Sequence, residues 1–383
     1  MRYISLGKID KNSIPIFIGC IFSFLSRLLY SSDKTELFKH SIISNIVSAF
    51  ARMLTIIPLI VLKIRSKRNH DSGSLNKNKN DVKLIYKNAK EDIIQGRGRY
   101  IILTSVIFFI QGIMLVYTIQ VKTNFWILEN IITCIFYYLI FKVKLFKHHY
   151  LSIILIILIG LILDLVFGNL QKDFSENFFM FVIRFFREIL YSLHDVINKY
   201  VMEKKFCTPY ELSFYNGLIG LILLSIFSVI NYYYLEMDNF EEYLDNIDRT
   251  EILAIIGYAI TQLGLYLFSL ITNKKNTPCH KFIIYVFGQL AYYMDFSANS
   301  IVLIICVIFI LFISLIFNEI IEINFWGLSD NTKRNIIKRG EFEDSNIDKI
   351  YTVDDFWDNN PDGEKNKKAT ELIVYNRDDE DES

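Results

Sequence analysis

Apolar runs about twenty residues long recur along this chain as far as residue 323, and no other feature limits the possible folds so tightly. A helix rising about 1.5 Å per residue needs about 20 mostly apolar residues to cross a hydrocarbon core roughly 30 Å thick. Ten candidates can be read, at residues 14–30, 42–64, 100–121, 125–141, 150–167, 178–197, 210–230, 252–271, 282–297 and 299–323. Inside lipid every backbone amide must find its partner within the protein, and runs of this length do so as helices. The expected fold class is an all-α polytopic membrane protein with about ten transmembrane helices. The third and fourth runs, and the ninth and tenth, stand so close that they read as tight hairpins. Composition agrees, since 52% hydrophobic residues and a mean hydropathy of +0.31 are too apolar for a soluble chain of 383 residues.

Charge between the runs sets the expected orientation. From Arg65 to Arg99 ten Lys or Arg face four acids, which by the positive-inside rule makes this loop cytoplasmic. Lys142, Lys144, Lys147, Lys199, Lys204, Lys205, Lys274, Lys275 and Lys281 fall on the same side, while Glu236, Asp238, Glu241, Glu242, Asp245 and Asp248 crowd the opposite one. With ten spans both termini are then cytoplasmic, including a short N-terminal segment 1–13. Met1–Asn12 is polar and the first apolar run has no small-residue cleavage site behind it, so that run is expected to stay as a span. Residues 65–99 lack apolar periodicity and are expected to be disordered; their Lys and Asn interleaving suits topology better than nucleic-acid binding. The acidic tail 329–383, with sixteen Asp or Glu against nine Lys or Arg, reads as a disordered cytoplasmic extension. Five cysteines, Cys20, Cys134, Cys207, Cys279 and Cys306, are too scattered for a metal site or a disulfide frame, and no cofactor is expected.

The sixth run is the one that does not suit lipid. Arg184, Arg187, Glu188, Tyr191, His194, Asp195 and Asn198 recur every three or four residues, the spacing of one helix face. A charge at the bilayer centre costs about 2.5–3.5 kcal/mol on insertion scales, so the stripe should face a protein interior or a wet cavity. It either orders the bundle as an ion-pair network, Arg184 with Glu188 and Arg187 near Tyr191, or lines a solute pathway. The second run carries Asn45, Ser48, Arg52 and Thr55 on one face, with Pro58 inviting a kink. Arg52 is a pathway candidate, or else the partner of a buried carboxylate such as Glu129 or Asp164. Arg27 can snorkel to the outer end of the first run. Gln111 sits mid-span in the third, while Glu129 lies about a turn from the outer end of the fourth and reads as water-accessible scaffold. Gln262 with Tyr258 and Tyr266, and Gln289 with Tyr285, Tyr292 and Tyr293, make tyrosine-lined faces that suit either a hydrogen-bonding cavity or interface anchoring. Asp295 falls in the outer hairpin.

The runs divide into two sets of five, within 14–167 and 178–328, joined by a connecting loop at 168–177. An odd number of spans per half forces opposite orientations, the arithmetic of an inverted repeat. The run His194-Asp195-Val196-Ile197-Asn198-Lys199-Tyr200 through Cys207-Thr208-Pro209-Tyr210-Glu211, followed by Phe214-Tyr215-Asn216-Gly217, resembles the junction of sixth and seventh spans in the drug/metabolite transporter superfamily. The likeness is to its EamA-like and nucleotide-sugar-transporter-like protist members. Ala49-Phe50-Ala51-Arg52-Met53-Leu54 is similar to the arginine-bearing second helix of that superfamily, and Glu319 to Leu328 with Asn331-Thr332-Lys333 resembles the end of its last helix. The resemblance implies a ten-helix carrier of two inverted five-helix repeats with a central cavity and alternating access.

The expected function is therefore a secondary transporter or antiporter of a small polar, anionic metabolite such as a nucleotide sugar, in an endomembrane (Golgi or ER) or the plasma membrane. Arg52, Gln111, Arg184, Arg187, Tyr191, Gln262 and Gln289 would bind the solute, the arginines by charge-assisted hydrogen bonds. Glu188, His194 and Asp195 would balance charge or relay a proton. An enzyme is not expected: His194 and Asp195 are adjacent, so they point about 100° apart on a helix and cannot easily share one ion. The alternative is a non-transporting scaffold or receptor acting through the 65–99 loop and the tail.

Overall fold

A computed structural model describes residues 4–6, 11–30, 41–61, 64, 96–118, 124–142, 145–166, 174, 177–235, 247–292, 298–323, 328 and 332. Most of the basic loop, most of the 168–177 connection, Tyr293, Asp295 and all of the tail but Thr332 lie outside these residues, and with them the expectations of disorder and partner recruitment. Met1–Phe342 forms one compact unit; the second unit, Glu343–Ser383, lies wholly outside the described residues.

The described residues are almost entirely helical. Ten helices succeed one another at the places where apolar runs occur: α1 Ile14–Tyr30, α2 Ser41–Met53, α3 Arg97–Thr118, α4 Glu129–Phe141, α5 Lys147–Val166, α6 Phe178–Lys204, α7 Pro209–Ile230, α8 Arg249–Lys275, α9 Pro278–Tyr292 and α10 Ala298–Phe317. A short antiparallel ribbon pairs β1 Ile4–Leu6 with β2 Ile321–Ile323. Six helical segments are long and apolar enough to cross a membrane, namely Ser41–Val61, Arg97–Thr118, Lys147–Asp164, Pro209–Tyr234, Arg249–Lys275 and Ser300–Phe317. Two shorter apolar helices occupy Ile14–Leu29 and Phe125–Phe141. Helix α6 is as long as any, but its polar stripe separates it from these.

Polarity is distributed as lipid demands. Large apolar side chains point outward, as do Phe179 and Leu253, each 69% exposed, while Thr104, Ser105, Asn130, Asn198 and Asn216 are fully buried. Helix α6 touches α3, α4, α7, α8 and α9; α1 packs on α8 and α9, α2 on α7 and α8, α3 on α7, α4 on α9, and α5 on α10. The largest apolar cluster joins Trp126 and Ile127 to Ile156 and Leu163 of α5, Phe282 and Val286 of α9, and Val307 and Ile310 of α10.

Several expectations are corrected by this arrangement. Lys199, Lys274 and Lys281 were expected as loop charges, yet all three lie within helices. The buried Lys199 ammonium donates to the Lys274 and Asn276 carbonyls at 2.9 and 2.7 Å, a cation placed on the C-terminal end of α8 where its dipole favours one. Cys134 and Cys279, remote in sequence, meet with sulfurs 3.5 Å apart as free thiols.

The α6–α7 junction shows how local chemistry fixes an angle. Phe206 takes a left-handed φ of 50°, so that the Cys207 amide turns back to the Val201 carbonyl. Thr208 then caps α7: its hydroxyl accepts from the Glu211 amide at 3.2 Å while the Glu211 carboxylate accepts from the Thr208 amide at 3.1 Å, with Pro209 in the first turn. Arg97, opening α3, donates to the same carboxylate at 2.6 Å. Thr208→Ala is expected to lower stability by about 1 kcal/mol, the usual worth of such a cap, read as a lower unfolding midpoint in detergent.

Candidate functional site

The site is built from a break in α2. Proline has no amide hydrogen and its ring crowds the carbonyl four residues back, so Pro58 disfavours a regular turn at Leu54. The helix does lapse there: Leu54 and Thr55 form a turn before helix resumes at Ile56. The Arg52 carbonyl accepts from the Thr55 hydroxyl at 2.7 Å and from the Ser213 hydroxyl of α7 at 3.3 Å. Arg52 is thereby held at the break, against α7.

Its guanidinium lies between two rings, 3.7 Å from the centroid of Phe108 on α3 and 3.7 Å from that of Tyr266 on α8. The Tyr266 hydroxyl accepts from Asn216 Nδ2 at 2.9 Å, and Asn216 Oδ1 accepts from the Thr104 and Ser105 hydroxyls at 2.9 and 2.8 Å. This buried network fixes one wall of the sandwich. Nε and Nη1 of Arg52 are buried and make no hydrogen bond with the protein. Arg52 is not paired with Glu129 or Asp164; Asp164 instead accepts from the Asn124 amide and side chain at 3.1 and 3.0 Å.

The stripe on α6 faces inward. Glu188, 1% exposed, lies 3.4 Å from Arg184 and 3.2 Å from Arg187, and Arg187 also donates to the Thr118 hydroxyl of α3 at 3.1 Å. The Arg187 guanidinium stands 5.7 Å from the Tyr191 ring centroid. One turn on, both Asp195 oxygens accept from the Lys281 ammonium of α9, at 2.6 and 2.7 Å. His194 takes a different partner, accepting from Asn198 Nδ2 at 3.3 Å when Nε2 is unprotonated. The two adjacent side chains thus diverge, as their spacing on a helix requires.

Two residues expected at the periphery belong to this interior. Glu129 is 6% exposed, not water-accessible, because the α4 backbone is tied to α6 by the Ser192 hydroxyl donating to the Glu129 carbonyl at 3.0 Å. It shares an electrostatic neighbourhood with Lys281, Asp195, Glu188 and Arg27. Arg27, half-buried, lays its guanidinium 5.1 Å from the Tyr285 ring centroid of α9. Asp195 and Tyr191 in turn feel the charge of Arg52. Helices α1, α2, α4, α6, α8 and α9 therefore converge on one charged interior.

The glutamines are placed less centrally. Gln262 donates to the Ser26 hydroxyl at 2.8 Å, a contact between α8 and α1. Gln111 and Gln289 are both buried, and Gln111 Nε2 has no protein partner. Nothing in the geometry ties either one to Arg52 or to the α6 stripe. Phe108 and Lys281 were missed by sequence reasoning. Phe108 is one of 32 phenylalanines and nothing in its neighbours singles it out. Lys281 did carry a signal: Thr277-Pro278 marks a helix start, which puts a cation in a first turn where the dipole opposes it unless a carboxylate answers.

No protein-family model matches the chain, and no curated protein matches it.

Proposed function

We propose that this protein is a membrane carrier of the drug/metabolite transporter type, with ten spans in two inverted halves, that moves a small anionic metabolite by alternating access. The observation that carries the reading is the Arg52 guanidinium. With both faces covered by rings, it has only its edge left to donate, and buried donors take partners from water or a solute when the protein offers none. A planar edge of this kind matches the two oxygens of a carboxylate or phosphate.

Net charge supports the same sign of solute. Five cations, Arg27, Arg52, Arg184, Arg187 and Lys281, gather with three carboxylates, Glu129, Glu188 and Asp195, a surplus of two when all are ionised. An anion entering this interior relieves the surplus. Glu188 and Asp195 hold their cations in place, and His194 beside them is the group suited to relaying a proton.

The inverted repeat is supported by helix pairing. Advancing every helix number by five turns α3 on α6 into α8 on α1, α4 on α6 into α9 on α1, and α3 on α7 into α8 on α2. Each of those pairs occurs, and α2 with α7, α4 with α9 and α5 with α10 map onto themselves, whereas α8 on α9 and α9 on α10 have no equally packed counterpart in α3 with α4 or α4 with α5. Two halves related by a two-fold axis generate such a pattern, and the odd number of spans in each half is what opposes them.

The test is solute exchange by purified protein in liposomes, using nucleotide sugars, nucleotides and organic acids. At least one anionic class is expected to exchange, and Arg52→Gln to cut the rate at least about tenfold, the effect of about 1.4 kcal/mol. Arg52→Lys keeps the charge without the fork and is expected to fall short of wild type as well. Exchange of nothing in the panel, or an Arg52→Gln protein that transports normally, overturns the proposal.

A further inference from the structure

Away from the charged interior, the start of α5 meets the end of α10. His148, His149 and Glu319 come together there, each offering one ligand atom, all within 4.8 Å of one another. We infer that these three residues form a binding site for a divalent transition-metal ion of the zinc type, joining α5 to α10.

The argument rests first on His148. It is 3% exposed, and neither Nδ1 nor Nε2 makes a hydrogen bond. An imidazole so deeply buried is normally satisfied on at least one nitrogen. Nε2 does lie 3.3 Å from Glu319 Oε1, out of hydrogen-bonding geometry. Two donors each about 2.0–2.2 Å from a tetrahedral ion stand roughly 3.3–3.5 Å apart, so this spacing accepts an ion between them without large movement. The His149 ring lies alongside, its centroid 4.0 Å from that of His148. Its Nδ1 accepts the Phe146 amide at 3.0 Å, so His149 reaches the ion by exchanging that contact, whereas His148 and Glu319 are already in place.

Glu319 adds a second, independent feature. It sits just past α10 with φ of 57°, the left-handed position of a helix terminus, where its amide returns to Ile316 and the Ile320 amide to Leu315. Glycine is the residue such a position favours. A glutamate there bears backbone cost and presents a carboxylate to His148. Two imidazoles with one carboxylate suit zinc, and also cobalt or nickel, better than magnesium or calcium, which take oxygen ligands. The cysteine spacing that usually announces a metal site is absent from this set, so the expectation of no metal overlooked it.

The experiment uses the full chain without a histidine tag, purified in detergent, stripped with chelator and titrated with zinc by calorimetry and by thermal unfolding. Zinc is expected to bind at one equivalent and to raise the unfolding midpoint, with magnesium inert. Glu319→Gly removes the carboxylate while supplying the residue that the backbone prefers, so the metal-free variant should fold at least as well as wild type. Its zinc affinity, and that of His148→Asn, should fall at least about tenfold, the lower end of what even outer contacts to a metal site cost. Wild type binding zinc no better than the His148→Asn, Glu319→Gly double variant overturns the inference. So does a Glu319→Gly protein that loses stability without metal and a wild type that gains none with it, since the contact is then an ion pair and nothing more. Neither readout involves transport.

Discussion

Gly217→Leu should leave almost no folded protein. A Cβ at this position of α7 would meet the Met53 amide nitrogen, the Ala49 carbonyl oxygen at 2.6 Å and the Arg52 carbonyl carbon at 2.9 Å, all of them backbone atoms of α2. A side chain can rotate away from an intruding atom; a helix backbone moves only as a whole. Small residues at such crossings let helices approach in a medium that offers no hydrophobic drive for their association. Forcing in even one carbon costs about 1–3 kcal/mol in an ordinary core, and a leucine against backbone should exceed that range. Separation of the two helices also breaks the Ser213 hydroxyl's bond to the Arg52 carbonyl and the Thr55 hydroxyl's to that of Tyr210. Gly264→Ala makes the comparison: the atoms nearest its Cβ, from 2.5 Å, belong to the Phe22 ring, a side chain and not a helix backbone. The expected order of unfolding midpoints in detergent is wild type, then Gly264→Ala, then Gly217→Ala, with Gly217→Leu aggregated. A Gly217→Ala protein melting with wild type contradicts the α2–α7 contact, and with it the placement of Arg52.

Helix positions could be read from the sequence because lipid imposes one rule along the whole chain: about twenty apolar residues per crossing. The α6 stripe was readable for the same reason, since charges at helical spacing stand out against Phe and Ile. What it faces was not. A lysine near a loop obeys the positive-inside rule whether or not it also bonds inward, so Lys281 looked like topology while forming the main contact of Asp195. Glu129, one turn from the start of its apolar run, has the sequence of a water-exposed residue; only the packing of α4 against α6 buries it. Arg52 stood out, but its setting between Phe108 and Tyr266 depends on three helices meeting, and local pattern carries no such information. His148, His149 and Glu319 illustrate the same limit, because no spacing rule links a helix start to the end of another helix far along the chain.

Breaking the Asp195–Lys281 pair should cost about 3 kcal/mol, and restoring an apolar contact should recover most of it without restoring transport. The carboxylate side chain is 5% exposed and the lysine 20%, so removing one partner strands the other where water reaches it poorly. The costs are unequal. Lys281→Met leaves the more deeply buried group unpaired and should be the worse substitution, whereas after Asp195→Leu the lysine keeps some access to solvent. The double variant Asp195→Leu, Lys281→Met removes both charges, and apolar replacement of a buried ion pair is often neutral or stabilising. Its unfolding midpoint should approach wild type, a coupling of about 2 kcal/mol or more between the two positions. Stability and function part at this point. If the pair only braces α6 against α9, the double variant exchanges solute as wild type does; if it holds the charge balance of a carrier, the refolded double variant stays impaired or loses its pH dependence of exchange. Measuring midpoints and exchange on the same four proteins therefore separates an ion pair kept for packing from one kept for transport, and full activity in the double variant removes Asp195 and Lys281 from the proposed solute machinery.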